Sequence, residues 1–118
     1  MKKILVVDDD PNICELLELR LKSSGYEVST ACNGVAAFVK ASDEKPDLII
    51  LDVAMPTMDG LKFVQATRWL EMKNIPIIIL SGRRNTKEIF DALGVVHFLT
   101  KPFESKELLE TVAGCINN

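Results

Sequence analysis

The chain has 118 residues, of which 47% are apolar and 26% are charged, and its formal net charge is −3. This length suits one domain with one core, predicted to span residues 1–118. The mild acidity gives no long-range attraction to nucleic acid or anionic lipid, and no apolar run approaches the ~18 residues of a membrane span. We therefore expect no direct nucleic-acid partner and no membrane partner.

Short runs of Ile, Leu and Val recur along the chain and predict the strands of a buried parallel sheet. They show little polar alternation, which is typical of strands that are covered on both faces. Four such runs lie at residues 4–7, 47–51, 76–80 and 95–99. A weaker, alternating run at residues 26–31 suits an edge strand.

Helices are predicted between the strands, because apolar residues recur there at helical spacing. The predicted helices cover residues 12–24, 34–44, 60–71, 86–93 and 105–116. Asp10 and Pro11 suit the start of the first helix, and Gly25 suits its end. The alternating order predicts an α/β fold of the (βα)5 type, with parallel strands, right-handed connections and helices on both faces.

The helical spacing also predicts which side chains face the core. The predicted core-facing residues are Ile13, Leu16, Leu17 and Leu21 in the first helix, Val35, Phe38 and Val39 in the second, Leu61 and Val64 in the third, Ile89, Phe90 and Leu93 in the fourth, and Leu109, Val112, Ala113 and Ile116 in the last.

The three cysteines, Cys14, Cys32 and Cys115, are odd in number, widely spaced and without a CxxC pair. This pattern favours buried thiols in a reducing cytoplasm over a disulfide or a metal site. The N-terminus also lacks the long apolar segment and the small-residue cleavage site of a signal peptide. A cytoplasmic location is therefore expected.

Polar side chains follow several predicted strands at the point where each strand ends. Asp8, Asp9 and Asp10 follow the first strand, Asp52 the third, Ser81 and Gly82 the fourth, and Thr100, Lys101 and Pro102 the fifth. In an open α/β sheet, ligands bind outside the carboxyl ends of the strands. The sequence therefore predicts a polar site at this edge.

The residue types at this edge suit phosphoryl chemistry. Clustered carboxylates are tolerated around a hard cation, and Mg²⁺ takes a few carboxylates, water and a phosphate oxygen; Mn²⁺ is an alternative. Lys101 offers a positive charge and Ser81 a neutral donor to phosphoryl oxygens. Asp52 can act as a carboxylate nucleophile that forms an acyl phosphate.

Four motifs, ILVVDDDP, LIILDVAMPTMDG, IIILSG and FLTKPF, occur in this order. Together they resemble the receiver (CheY-like) domain of two-component response regulators over essentially the whole chain. The resemblance implies a flavodoxin-like three-layer sandwich with strand order 2-1-3-4-5. It also implies that Asp52 is the phosphoacceptor.

The resemblance implies roles for further residues. Asp8 and Asp9 match the acid pair that organises Mg²⁺, and the main-chain carbonyl of Ala54 matches the remaining protein ligand beside Asp52. Lys101 matches the phosphate-pairing lysine, with a cis bond to Pro102.

Two more pairs of residues match regulatory positions of the family. Ser81 and Phe98 match the hydroxyl and the aromatic residue that switch on phosphorylation. Ala54 and Arg83 match positions that tune dephosphorylation. The stretch from Ser81 to Lys101 is about two residues shorter than in the family, and the shortening falls in or just before the predicted helix at 86–93.

Structural alternatives exist for these residues. Asp10 suits a helix cap better than a ligand, because it precedes Pro11. Asp8 and Asp9 could be acids that favour the helix N-terminus. Asp52 and Ser81 could be turn residues, Lys101 a surface lysine, and Phe98 a fixed core aromatic.

The predicted function is a phosphorylatable signalling switch that catalyses only its own phosphorylation and dephosphorylation. The expected partners are a sensor histidine kinase or phosphotransfer protein and a downstream effector. One alternative is a receiver-like interaction module that does not depend on phosphorylation. An aspartate-nucleophile phosphohydrolase is less favoured, because its DxDxT motif is replaced by DDDPN, and a nucleotide-binding protein would need a glycine-rich loop after the first strand.

Overall fold

The computed structural model describes residues 1–53, 58–69, 74–82, 91–92 and 97–116. In these ranges strands and helices alternate from the first strand to the fourth, and the next described strand is the fifth. Their bounds are β1 Lys3–Val7, α1 Pro11–Ser23, β2 Glu27–Ala31, α2 Gly34–Glu44, β3 Leu48–Val53, α3 Met58–Trp69, β4 Ile77–Ser81, β5 His97–Thr100 and a further helix, Ser105–Ile116.

The five strands form one parallel sheet in the order β2-β1-β3-β4-β5. This order confirms the flavodoxin-like prediction, and β2 lies at an edge as its alternating pattern predicted. The order changes direction at β1, because β2 lies on one side of it and β3 on the other. Ligand sites of open α/β sheets lie next to such a change, at the carboxyl ends of the strands.

The sheet separates two apolar layers. Successive strand residues point to opposite faces, so that Ile49 and Leu51 pack with α2 and α3 while Ile50 and Leu48 pack with α1 and the Ser105–Ile116 helix. Every residue of β4 is buried. These two layers of helices around a sheet are the predicted three-layer sandwich.

The first helix begins and ends within one residue of the predicted bounds, 12–24. The Asp10 carboxylate accepts a hydrogen bond from the Asn12 amide at 2.9 Å, and Pro11 occupies the first helical turn. At the other end Gly25 has a φ of +94°, a conformation that glycine adopts without steric cost. Its amide donates to the Lys22 carbonyl at 3.0 Å, which satisfies an acceptor of the last turn.

Two of the predicted core faces are wrong in part. In α2 the buried residues are Ala37 and Ala41, whereas Val35 and Val39 are 77% and 52% exposed. The small alanine side chains let this helix approach the sheet closely, and the larger valines then point outward. In α1, Leu16 is also exposed, because the buried stripe runs along Cys14, Leu17 and Leu21.

The Ser105–Ile116 helix shows a smaller difference. Val112 is buried as predicted, but its buried partner is Leu108, one residue before the predicted Leu109. Leu109, Ala113 and Ile116 are half-buried. The helix is therefore rotated slightly from the predicted face.

The remaining predictions agree with the structure only in part. Helix α3 begins at Met58 instead of residue 60, and Val64 is buried as predicted. The predicted helix at 86–93, with Ile89, Phe90 and Leu93, lies outside the described residues except for positions 91 and 92. All three cysteines are free, but only Cys14 is buried; Cys32 is exposed, because it follows the edge strand β2.

None of the described helices combines the length and the apolar character that crossing a lipid bilayer requires.

Replacing Leu21 with Ala is expected to lower the free energy of unfolding by about 3 kcal/mol, because a fully buried side chain would leave a cavity. Leu19→Ala on the same helix is the matched control, since Leu19 is 61% exposed and its loss should cost less than about 0.5 kcal/mol. Urea unfolding monitored by circular dichroism measures both values. Equal losses for the two variants would contradict the assigned core face.

Candidate functional site

The strand register brings the predicted polar residues to one edge of the sheet. Val53 pairs with Ser81, and Ser81 pairs with Thr100, so β3, β4 and β5 end side by side. Asp52 lies one residue before this row and Lys101 one residue after it. Residues that are far apart in sequence thus meet because their strands end together.

Asp52 is the buried acid of this edge, and Lys101 is its partner. The Asp52 side chain is 1% exposed, and its Oδ1 atom lies 2.5 Å from the Lys101 Nζ atom. The Lys101 amide donates to the Ser81 carbonyl at 2.9 Å, which holds the lysine backbone beside β4. The Lys101–Pro102 bond is cis, as the family resemblance implied.

The second oxygen of Asp52 has no such partner. Its Oδ2 atom is buried and receives no hydrogen bond from the described residues. An unpaired buried acceptor is costly, because it has lost its water without gaining a donor. This oxygen can therefore still accept a hydrogen bond or bind a cation.

Asp8 is the second buried acid, with a relative exposure of 4%. Burial raises the pKa of its carboxyl group from 3.8 to about 7. The nearby Asp52 carboxylate and its charge contribute to this increase, and Asp9 contributes further, while the hydrogen bond from the Asp10 amide opposes it. Two acids so close cannot both carry charge at low cost unless a cation joins them.

Asp8 is held in place by both its side chain and its main chain. Its Oδ1 atom accepts from the Asp10 amide at 2.9 Å, and its amide donates to the Ala31 carbonyl at 3.1 Å. Its carbonyl accepts a hydrogen bond from the Cys14 thiol at 3.4 Å. Cys14 was not predicted from the sequence as a neighbour of the site, although its position one turn after the Asp10 cap places it beside the strand end.

The remaining predicted ligands do not all join the pair. Asp9 is exposed, and Asp10 serves as the helix cap. Within the described ranges, no three His, Cys, Asp or Glu side chains are already gathered as a metal cluster. Ala54 and Arg83, the predicted carbonyl ligand and tuning positions, lie outside the described residues.

The two predicted switch residues lie on neighbouring strands. Ser81 is the last residue of β4 and is 1% exposed. Phe98 lies in β5 and is half-buried, packed against the apolar layer that contains α2 and α3. The structure therefore places a hydroxyl next to the acid edge and an aromatic ring on the adjacent strand.

A groove of about 410 Å³ begins at this site. Asp52 and Lys101 line one end, and the rest is mainly apolar, with Ile13, Leu17 and Phe103 among its walls. A larger groove of about 730 Å³ lies between α2 and α3, where Val35, Phe38 and Phe63 line it, away from the acids. Of these two grooves, the smaller one reaches the buried Asp52 carboxylate.

The site can perform two kinds of chemistry. The Asp8 and Asp52 carboxylates, together with the unpaired Asp52 Oδ2, suit a hard divalent cation, whose preferred ligands are oxygen atoms. The Asp52 carboxylate can also act as a nucleophile toward phosphorus. Lys101, which contacts Asp52, can then pair with the phosphoryl oxygens.

The sheet order and the acidic carboxyl edge define a flavodoxin-like α/β protein whose ligand site is built from carboxylates and one lysine. A family profile described as the response regulator receiver domain matches residues 4–113. The chain therefore belongs to the response regulator receiver domain family, and it is a signalling domain of the two-component type.

Curated relatives support this assignment. The chain is 43% identical over 112 residues to the alkaline phosphatase synthesis transcriptional regulatory protein PhoP of Bacillus subtilis, covering 91% of this chain and 45% of the relative. It is 39% identical over 112 residues to the transcriptional regulatory protein PrrA of Mycobacterium leprae, covering 93% and 48%. The chain spans about half the length of these curated relatives.

Solved structures agree over nearly the whole chain. The chemotaxis response regulator CheY4 of Vibrio cholerae superposes with a TM-score of 0.89 at 38% identity, covering 98% of each chain. The response regulator TrrA of Thermotoga maritima, in complex with Mg²⁺ and BeF, superposes with a TM-score of 0.86 at 38% identity, covering 98% of this chain and 99% of that one.

Replacing Asp8 with Asn is expected to increase the free energy of unfolding in the absence of divalent cations. Because the pKa of Asp8 rises from 3.8 to about 7 on folding, wild-type stability falls as pH increases through this range and stays reduced above it. The gain of Asp8→Asn should therefore be small near pH 4 and reach about 1–3 kcal/mol above pH 7.

Chemical unfolding across this pH range, with EDTA present, measures the gain. Asp43→Asn is the control, since Asp43 is exposed on α2 and its replacement should give a gain that changes little with pH. A gain for Asp8→Asn that shrinks as pH rises would contradict the burial and charge repulsion assigned to Asp8.

Proposed function

We propose that Asp52 of this receiver domain accepts a phosphoryl group from the phosphohistidine of a sensor histidine kinase or phosphotransfer protein, and that the modified domain changes its binding to a downstream effector. The observation that carries this proposal is the state of the Asp52 carboxylate. It is buried at a strand end, with one oxygen paired to Lys101 and the other without a donor among the described residues.

In the proposed transfer an oxygen of Asp52 attacks the phosphorus atom. The N–P bond of the phosphohistidine breaks, an O–P bond forms, and the imidazole leaves. Lys101 moves from the free carboxylate to the incoming phosphoryl oxygens, where its charge offsets their negative charge. The burial of Asp52 excludes bulk water, which strengthens the attraction between Lys101 and the phosphoryl oxygens.

The proposed cation ligands are Asp8, Asp9, Asp52 and the main-chain carbonyl of Ala54. The buried Asp8–Asp52 pair and the unpaired Asp52 oxygen fit a Mg²⁺ ion, or another hard divalent cation such as Mn²⁺. When bound, the ion supplies positive charge that stabilises the transferring phosphoryl group. Asp8 and Asp52 already lie close together, and both carboxylates would contact the ion.

Ser81 and Phe98 are the proposed switch residues. A phosphoryl group on Asp52 offers new acceptor oxygens, and the Ser81 hydroxyl on the adjacent strand end is a suitable donor. A shift of this strand end would change the packing around the half-buried Phe98 ring on β5. Phosphorylation would thereby alter the relative populations of two surface states. Ala54 and Arg83 are proposed to tune hydrolysis of the acyl phosphate.

The groove beside Asp52 supports the proposed kinase contact. It is mainly apolar and lies along α1, so that a partner helix seated in it would bring a histidine toward the buried carboxylate.

We propose that residues 1–118 act as one cytoplasmic domain whose only catalysis is its own phosphorylation and dephosphorylation. The low net charge of −3 agrees with a protein partner instead of nucleic acid for this domain.

Replacing Asp52 with Asn should abolish labelling by acetyl phosphate in the presence of Mg²⁺, because the amide cannot form the acyl phosphate. Intact mass measurement detects the added phosphoryl group. Asp43→Asn, with a change of the same kind on an exposed helix position, should label like the wild type. Full labelling of Asp52→Asn would place the phosphoacceptor elsewhere and overturn the proposal.

Replacing Lys101 with Met should slow labelling by roughly a hundredfold, as expected for removal of one electrostatic contact to the transferring group. Mg²⁺ affinity should stay the same or increase, because a positive charge beside the acids is removed. Lys106→Met is the control, since Lys106 is exposed on the Ser105–Ile116 helix. Labelling rates and a Mg²⁺ titration by fluorescence separate the two effects, and a normal rate for Lys101→Met would contradict the assigned role.

A further inference from the structure

Two cysteines flank the buried acid Asp8. The Cys14 thiol donates to the Asp8 carbonyl at 3.4 Å from the first turns of α1. On the other side, Val7 pairs with Ala31 and the Asp8 amide donates to the Ala31 carbonyl at 3.1 Å. Cys32 is the next residue after Ala31, so the connection that leaves β2 begins beside Asp8, about one strand spacing (~5 Å) away.

The two thiols differ in their access to solvent. Burial raises the pKa of the Cys14 thiol, and the charges of Asp8, Cys32 and Asp52 add to the increase. Cys14 is 7% exposed, whereas Cys32 is exposed in the connection between β2 and α2. Cys32 is thus the thiol that a dissolved oxidant meets first, and Cys14 is the protected thiol beside the same residue, Asp8.

We propose that Cys14 and Cys32 form a reversible disulfide when the protein meets a hydroperoxide, and that this bond weakens cation binding at the acid site. The pairing part of the proposal depends only on the cysteines. The part that concerns the cation rests on the proposed function of Asp8 and Asp52. Cytoplasmic disulfides are mostly transient and serve redox sensing, which agrees with a bond of this kind.

The chemistry is a two-electron oxidation in two steps. The Cys32 thiolate attacks the hydroperoxide, the O–O bond breaks, and Cys32 becomes a sulfenic acid while an alcohol or water leaves. The Cys14 sulfur then attacks the Cys32 sulfur; the S–S bond forms, the S–O bond breaks, and water leaves with the Cys14 proton. A small dithiol returns the two electrons and restores both thiols.

The disulfide would act on Asp8 directly. Once Cys14 is bonded to Cys32, its sulfur has no proton to donate to the Asp8 carbonyl, which therefore loses that partner. The bond would also tie the start of α1 to the exit of β2 across the residue that both flank. Asp8 would then be held in a different position relative to Asp52, and the two carboxylates would fit a cation less well.

Peptide mapping of the peroxide-treated chain under non-reducing conditions tests the pairing. Wild type and Cys115→Ser should both lose two hydrogen atoms and yield a Cys14–Cys32 peptide that dithiothreitol removes. Cys115 is the matched control because it lies half-buried on the Ser105–Ile116 helix. Cys14→Ser should stop at a Cys32 sulfenic acid, which dimedone traps, and Cys32→Ser should keep its Cys14 thiol.

The pairing is overturned if wild type keeps both thiols after treatment, or if Cys32 instead joins two chains in a dimer. This test uses only the wild-type protein, so it can be read even if Cys14→Ser does not fold.

The second measurement compares Mg²⁺ titrations of reduced and oxidised wild type. An affinity at least tenfold lower after oxidation supports the coupling, and equal affinities overturn it. Phosphodonor labelling of the reduced protein tests Asp52 separately, so failure of the proposed function is distinguishable from failure of the thiol pair.

Discussion

The burial of Asp52 beside Lys101 is the interaction on which the site depends. A carboxylate at the end of a buried strand requires compensation, and one lysine supplies it to one oxygen only. The second oxygen has no donor among the described residues, and another buried acid, Asp8, lies nearby, with a pKa that is raised first by burial and further by Asp52. The described residues therefore leave part of the negative charge of these two acids uncompensated, and a divalent cation bound between them would supply the missing positive charge. The sheet positions these groups because three of its strands end in one row.

Much of this arrangement could be predicted from the sequence. The strands are marked by apolar runs, and the acids and the lysine stand immediately after them, so the carboxyl-edge rule predicts that they meet. The Asp10 cap and Gly25 were equally clear, because each has a local stereochemical cause. The strand order came from resemblance to a family, since short apolar runs alone do not reveal which strands are neighbours.

Other features depend on packing that the sequence does not reveal. Val35 and Val39 have the spacing of a core face, yet the alanines of α2 face the sheet. The pairing of Lys101 with only one Asp52 oxygen, and the exposed position of Asp9, depend on side-chain geometry at the strand ends. Cys14 and Cys32 are 18 positions apart in the sequence numbering; α1 brings Cys14 to Asp8, and the pairing of β1 with β2 brings Cys32 there.

The alignment of Ser81 with Thr100 has a consequence for changes in chain length. Lys101 keeps its place because its amide is bonded to the Ser81 carbonyl, so the two anchors of the intervening stretch are fixed to each other. Residues gained or lost in the connection that follows β4 and precedes β5 would leave the ion pair with Asp52 in place, whereas a single insertion inside β4 or β5 would reverse the direction of every later side chain in that strand. The length of this connection can therefore vary while the ion pair next to it stays the same.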